Sequence, residues 1–220
     1  KPRMSGSNIG RYSQQVTTTR SKEQRMILES FPAGPWQTNC YVVAPSRGSE
    51  CLIVDPGMHA SSGVRDAVER HGLRPIAVLV THGHIDHMWS VFPVANGYGI
   101  PAVVHADDRV LLSDPTVAMS NELRGTLHTM LGPGDTFAEP ADVLLAADGQ
   151  HFDFAGFDVT IRHAPGHTPG SLLYDFGQDV FTGDVLFAGA IGRTDLPGGS
   201  MHDMNRSRSE EHTSELQSRL

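Results

Sequence analysis

An unbroken apolar run, Ile76-Ala77-Val78-Leu79-Val80, passes directly into Thr81-His82-Gly83-His84-Ile85-Asp86-His87. A short continuous run of this kind fits a buried strand. The imidazoles and carboxylate would then leave the strand at its C-terminal end, on a loop held by the core. Three imidazoles and a carboxylate so close together make a poor turn and a good metal cradle. Neutral imidazole nitrogen ligates near pH 7, and Asp adds a charged oxygen. The chain must therefore build a core that delivers a polar cluster to the end of one buried strand.

Other strand-length apolar runs occur at 27–31, 40–44 and 51–55. Between 51–55 and the central run, Val64, Ala67, Val68 and His71 recur at helical spacing, with Ser61 or Ser62 as cap and Gly72 as stop. A helix is expected over 87–95 and a strand over 101–105. Residues 113–150, with Pro115, Pro133 and Pro140 among polar residues, read as a surface excursion near the site, a usual place for substrate contacts. Strands resume at 157–162, 171–175 and 180–182. Two strand-rich halves with intervening helices predict an α/β fold with helices packed outside paired sheets.

At 220 residues the chain can bury a full core in one domain. Its 39% apolar content, with no run of membrane-spanning length, points away from a membrane protein. A formal charge of −8 makes nucleic acid an unsuitable partner. Cys40 and Cys51 both lie in apolar, strand-like segments and read as buried thiols. No secretory signal is visible, so the cytoplasm is the expected compartment. Residues 1–25 are polar and aperiodic and read as a disordered or translated leader. Residues 208–218, RSEEHTSELQS, match the translation of a common sequencing adapter. The folded domain is accordingly expected over 26–207, with 208–220 an artefactual, unstructured tail and His212 no ligand.

Two further segments carry chemistry. In Ala164-Pro165-Gly166-His167-Thr168-Pro169-Gly170, Pro and Gly on both sides of His167 make a tight loop that can aim its imidazole inward. Phe181-Thr182-Gly183-Asp184 ends another strand in a carboxylate, whose two oxygens can bridge two cations. Asp55 also ends a strand and is placed behind the ligands, orienting an imidazole. His59, His71, His105, His128, His151, His163 and His202 have no ligand-like context.

Together, Asp55, T-H-G-H-I-D-H at 81–87, P-G-H at 165–167 and F-T-G-D at 181–184 resemble the metallo-β-lactamase superfamily in order and spacing. The segments at 31–41, 186–189 and 192–199 are similar to its glyoxalase-II-like branch, so the resemblance covers about 26–207. It implies an αββα sandwich with the site at one edge of the two sheets. It also implies His82, His84 and His167 on a first metal, Asp86 and His87 on a second, and Asp184 bridging. A further His normally reaches the second metal from a P-G-H-G segment that would follow residue 207. That segment is not in the sequence, and the last strands and helix of the sandwich are expected to be missing with it.

The implied chemistry uses two Zn²⁺ ions, with Fe or Mn as alternatives. Water between them becomes a hydroxide that attacks a small thioester, with Asp86 and Asp184 orienting it. Arg193 is expected to hold its loop by an ion pair. Competing readings are a persulfide dioxygenase with one Fe(II) on His82, His167 and Asp184, a lactone or β-lactam hydrolase, and an inactive metal-binding fragment. Leu196-Pro197-Gly198-Gly199 after Gly192-Arg193-Thr194-Asp195 favours the hydrolase.

Overall fold

The apolar runs condense into two sheets in a computed structural model, which describes residues 26–132, 135–187 and 189–212. The first sheet has the order β1 (Ile27–Ala33), β2 (Thr38–Ala44), β3 (Glu50–Val54), β4 (Arg74–Leu79), β5 (Ala102–His105), β6 (Val143–Ala146). Its first three strands form an antiparallel meander, and β3 to β6 are mutually parallel. The second sheet is antiparallel, ordered β10 (Val180–Phe181), β9 (Leu172–Asp175), β8 (Phe157–His163), β7 (His151–Phe154).

Burial on both faces explains the unbroken apolar run of β4. Val78 and Val80 point to one side, where Val64, Ala67 and Val68 of α1 (Ser61–His71) and Val91, Val94 and Ala95 of α3 (Val91–Tyr98) cover the sheet. Ala77 and Leu79 point to the other, meeting Val159, Ile161, Leu172 and Tyr174 of the second sheet. Met204 of α5 (Met201–His212) packs with Leu173 and Ala164 on the far face of that second sheet. The layers are thus helix, sheet, sheet, helix, an αββα sandwich. The buried Tyr174 hydroxyl donates to the carbonyls of Val80 (2.9 Å) and Val103 (3.2 Å), joining the sheets beneath the end of β4.

Several local expectations differ from the structure. Neither Ser61 nor Ser62 caps α1; Ala60 takes that position without a side-chain bond, while Gly72 ends the helix at φ +64° as expected. The helix expected over 87–95 is two: α2 (Ile85–Met88) and α3. Ser90 breaks it, since its N–H donates to Pro56 O (2.8 Å) and its hydroxyl to Gly57 O (2.7 Å). The excursion holds α4 (Asn121–Met130), capped by the Ser120 hydroxyl on the Leu123 N–H, and also supplies β6. Helix α5 continues past Ser207 through His212, in sequence rich in Arg and Glu, so 208–212 are not unstructured. The leader expected at 1–25 and the rest of the tail, 213–220, lie outside the described residues. Among the described residues, no helix is long and apolar enough to cross a membrane.

Candidate metal centre

The parallel strands β3, β4 and β5 end on one side of the sheet, and the loops after β8 and β10 reach the same edge. Six side chains meet there. His82 and His84 follow β4, Asp86 and His87 ride on α2, His167 lies in the loop between β8 and β9, and Asp184 follows β10. Three nitrogens converge: His167 Nε2 is 3.1 Å from His82 Nε2 and 2.7 Å from His84 Nδ1. Alongside, His87 Nε2 is 3.2 Å from Asp184 Oδ1 and 3.5 Å from Asp86 Oδ2. Asp184 Oδ2 lies 3.4 Å from His167 Nε2, so its carboxylate spans both groups. Asp86 is held by a helix rather than the loop the sequence suggested, and His87, expected to open a helix, lies on that same α2.

The ligand atoms of His82, His84 and His167 lie within 4.8 Å of one another, as do those of His82, His87 and Asp184. Tetrahedral ligands about 2.0–2.1 Å from a zinc ion sit about 3.3 Å apart, so the spacing suits a divalent cation. Outer contacts orient the rings. His87 Nδ1 faces Asp55 Oδ2 at 2.9 Å, and His167 Nδ1 faces the Arg193 carbonyl at 2.7 Å, leaving both Nε2 atoms for the interior. The Thr38 hydroxyl donates to Asp86 Oδ2 (2.8 Å). Asp55 takes φ +47°, a strained value for a non-glycine, and accepts from the Thr81 N–H (2.7 Å) and hydroxyl (2.6 Å) as well as facing His87.

Electrostatics divides the cluster. Burial, reinforced by the neighbouring histidines, lowers His82 well below the usual imidazole range and His84 to about 3. Burial lowers His167 too, against the opposing pull of Asp184. These rings stay neutral, with lone pairs free to ligate. Burial also disfavours a charged His87, but Asp55, Asp184 and Asp86 outweigh it and raise its pKa well above the ordinary value. Burial pushes Asp184 up, and its bond to His87 more than reverses this, leaving the carboxyl below its usual range. His84 Nε2 is buried without a hydrogen-bond partner among the described residues. A nitrogen-and-oxygen set of mostly neutral imidazoles, crowded at ligand spacing, fits one or two divalent transition ions.

The sequence profile of the Metallo-beta-lactamase superfamily matches residues 33–220. The chain belongs to this superfamily. It is 44% identical over 190 residues to an uncharacterized protein of Mycobacterium tuberculosis H37Rv, covering 83% of each. It is 36% identical to the probable metallo-hydrolase YqgX of Bacillus subtilis, covering 81% of this chain and 80% of that one. Identity to the hydroxyacylglutathione hydrolase GloC of Haemophilus influenzae is 29%, over 79% and 78%. Among solved structures, the BLEG-1 B3 metallo-beta-lactamase superposes with TM-score 0.70 and 35% identity, covering 87% of this chain and 86% of that one. TTHA1623 in a di-iron-bound form gives 0.67 and 29%, covering 84% and 86%.

A cavity of about 540 Å³ opens on the Asp86, His87 and Asp184 side of this superfamily cluster, between the β1–β2 hairpin and β10. Trp36, Asn39, Tyr41, Leu186 and Phe187 are among its walls. None of the described residues of the excursion at 113–150 lines it. Leu123, Leu127 and Met130 of α4 instead pack with Ile85 and Trp89, behind the ligand-bearing helix. Arg193 makes a two-pronged ion pair with Asp195, at 2.7 Å on each prong, while its carbonyl receives His167. Of the histidines set aside, His105 and His163 do sit near Asp107 at ligand spacing. Their rings are stacked nearly parallel, 8° apart, and His163 Nε2 is engaged by Pro169 O (2.8 Å), so their lone pairs do not converge. The side chain of His212 lies outside the described residues.

Sequence reasoning passed over Thr38 and Asp108. Asp108 is fully buried and accepts three hydrogen bonds from the two ligand-bearing loops. The available signal was topological: it follows β5, whose C-terminal end lies beside that of β4 in a parallel sheet.

Proposed function

We propose that this protein is a metal-dependent hydrolase of a small thioester, related in chemistry to hydroxyacyl-thiol hydrolysis. The observation that carries the reading is the double His/Asp cluster opening into a cavity of ligand size. The likeness to the GloC hydrolase supports the thioester, and the likeness to YqgX supports hydrolysis more broadly. His82, His84 and His167 would hold one ion, Asp86 and His87 a second, with Asp184 shared. When bound, such ions supply a water acidic enough to attack a carbonyl at neutral pH and stabilise charge on its oxygen.

The protein's own groups do the remaining work. Asp86, held by Thr38, and Asp184, drawn toward His87, present carboxylate oxygens to the cavity and can orient an attacking water through its protons. Asp55 keeps the His87 ring turned inward. Trp36, Leu186 and Phe187 offer apolar surface to the substrate, while Gln37 and Asn39 offer amides. Neither cysteine is a candidate nucleophile: burial pushes Cys51 to about 12 and Cys40 well above its normal range. A thiolate leaves without a general acid, which suits a site whose imidazoles are committed to other roles. Zinc is the first choice of metal, and the di-iron neighbour keeps iron in the test. We assign the reaction to the cytoplasm, consistent with two buried free thiols.

The test is release of thiol from S-2-hydroxyacyl thioesters by the chain loaded with Zn²⁺ or Fe²⁺. Hydrolysis is expected, and its loss in His84→Ala and Asp184→Ala. Hydrolysis of a lactone or β-lactam with thioesters untouched would overturn the substrate assignment. Oxygen consumption with a persulfide would overturn the hydrolytic one.

A further inference from the structure

Two loops carry the three-histidine set, and one buried carboxylate joins them. Asp108 lies in a 3-10 segment, Ala106–Leu112, directly after β5 and is 0% exposed. Its Oδ2 accepts from the Gly83 N–H (2.8 Å), between His82 and His84, and from the Thr168 hydroxyl (2.7 Å), beside His167. Its Oδ1 accepts from the Gly170 N–H (2.8 Å). All three partners are donors, so only a carboxylate satisfies them together. The approach leaves no room for larger residues. A Cβ on Gly170 would lie 2.6 Å from the Asp108 carboxyl carbon, and one on Gly83 2.6 Å from the Leu111 side chain and 3.1 Å from the Asp108 carbonyl.

The same segment is tied to the His167 loop from a second direction. His105 Nδ1 accepts the Asp107 N–H (3.2 Å), and its ring stacks on His163, centroids 4.0 Å apart. His163 Nε2 in turn donates to Pro169 O (2.8 Å). The other ligands depend on different supports. Asp86 and His87 lie on α2 and are held by Thr38 and Asp55, while the hydrogen bonds of Asp108 run to Gly83, Thr168 and Gly170.

We infer that Asp108 is a positioning residue for the three-histidine cradle: by clamping the 83 and 168–170 backbones together it sets the distance of His82 and His84 from His167. Asp55 is shared, facing His87 and also holding Thr81 beside His82, whereas, among the described residues, the hydrogen bonds of Asp108 go only to the loops of the three-histidine set. Asp108 touches neither substrate nor metal and acts through the loops. Losing an outer contact of this kind typically weakens metal binding about 10–100-fold.

Stepwise titration of the metal-stripped full chain with Co²⁺, followed by visible absorption, tests this. His84→Ala and His87→Ala assign each band to its set. Asp108→Asn keeps the volume but turns an amide toward an N–H donor. It is expected to weaken the three-histidine Co²⁺ by about 10–100-fold and alter its band, while the other Co²⁺ keeps its affinity. Asp55→Asn, by contrast, should weaken the His87-side Co²⁺, because Asp55 faces that ring and Asp108 does not. Thr168→Val, which removes one of the three bonds, should give a smaller loss confined to the three-histidine ion, and carries the test if Asp108→Asn does not fold. Equal weakening of both ions, or an unchanged first ion and band in both Asp108→Asn and Thr168→Val, would refute the positioning role. The inference rests on the cluster holding metal; a wild-type chain that takes up no Co²⁺ refutes that premise itself, separately from Asp108.

Discussion

His87 differs from the other clustered imidazoles by facing three carboxylates, Asp55, Asp184 and Asp86, which hold a proton on it. Burial and neighbouring histidines keep protons off His82, His84 and His167. A cation entering beside His87 must displace a proton, whereas one entering the three-histidine set does not. Acid should therefore empty the His87 position first. Because the His87 pKa is raised, this competition sets in above the ordinary imidazole range. As pH falls from there, metal analysis after dialysis should drop from nearer two ions per chain toward one, with the remaining ion on the three histidines. Even at neutral pH, mild dialysis should leave nearer one ion than two, because the His87 side has only Asp86, His87 and a share of Asp184. A firm two ions per chain at pH 5 would contradict both the proton competition and the ligand tally. Thr38→Val isolates a smaller effect: Asp86 loses its 2.8 Å anchor, and zinc affinity on the His87 side should fall several-fold with the three-histidine ion unaffected.

At the scale of elements, the site depends on α2 being short. Ser90 diverts the chain by bonding Pro56 and Gly57 rather than continuing the helix, and Gly57 lies against Asp86. A Cβ on Gly57 would fall 2.2 Å from the Asp86 carbonyl, so Gly57→Ala must push α2 away from β3. Destabilisation of about 1–3 kcal/mol in denaturant melts is expected, with lower zinc occupancy beside His87. Unchanged occupancy would mean that α2 moves without carrying its ligands. This element also marks where sequence pattern ran out. The β4 run and H-x-H-x-D-H were legible because both consist of side chains with a narrow range of uses, a strand buried on two faces and a cluster of ligand atoms. Asp55 was legible as a strand-end carboxylate beside the motif. The α2–α3 break was not, because Ser90 makes it through carbonyls more than thirty positions earlier in the chain. Helix α4 was obscured by prolines on either side and by a polar composition that buries only one face, on Ile85 and Trp89. Asp108 looked like any loop acid, because its role exists only once two distant loops are brought within 3 Å of it.

For the whole molecule, the placement of the ligands matters more than their number. His82, His84, Asp86 and His87 belong to the first sheet and its connections, His167 and Asp184 to the second. The interior between the sheets is apolar, and at this edge the direct links include Tyr174 on Val80 and Val103 and the bond from Leu172 N–H to Thr81 O (2.7 Å). A cation held by His82, His84 and His167 is then a cross-link between sheets, present only in the folded state. At a free concentration 100 times its Kd, such an ion adds about 2.7 kcal/mol of stability. For a chain of this size, each kcal/mol moves Tm by about 2–4 °C, so saturating zinc should raise Tm by about 5–10 °C over the chelator-treated chain. His84→Ala should remove most of that shift, because it opens the cross-link itself. His87→Ala should keep most of it, because the ion spanning the sheets through His167 is retained. Equal loss of the shift in both variants would show that the sheets are joined through the shared Asp184 rather than through His167.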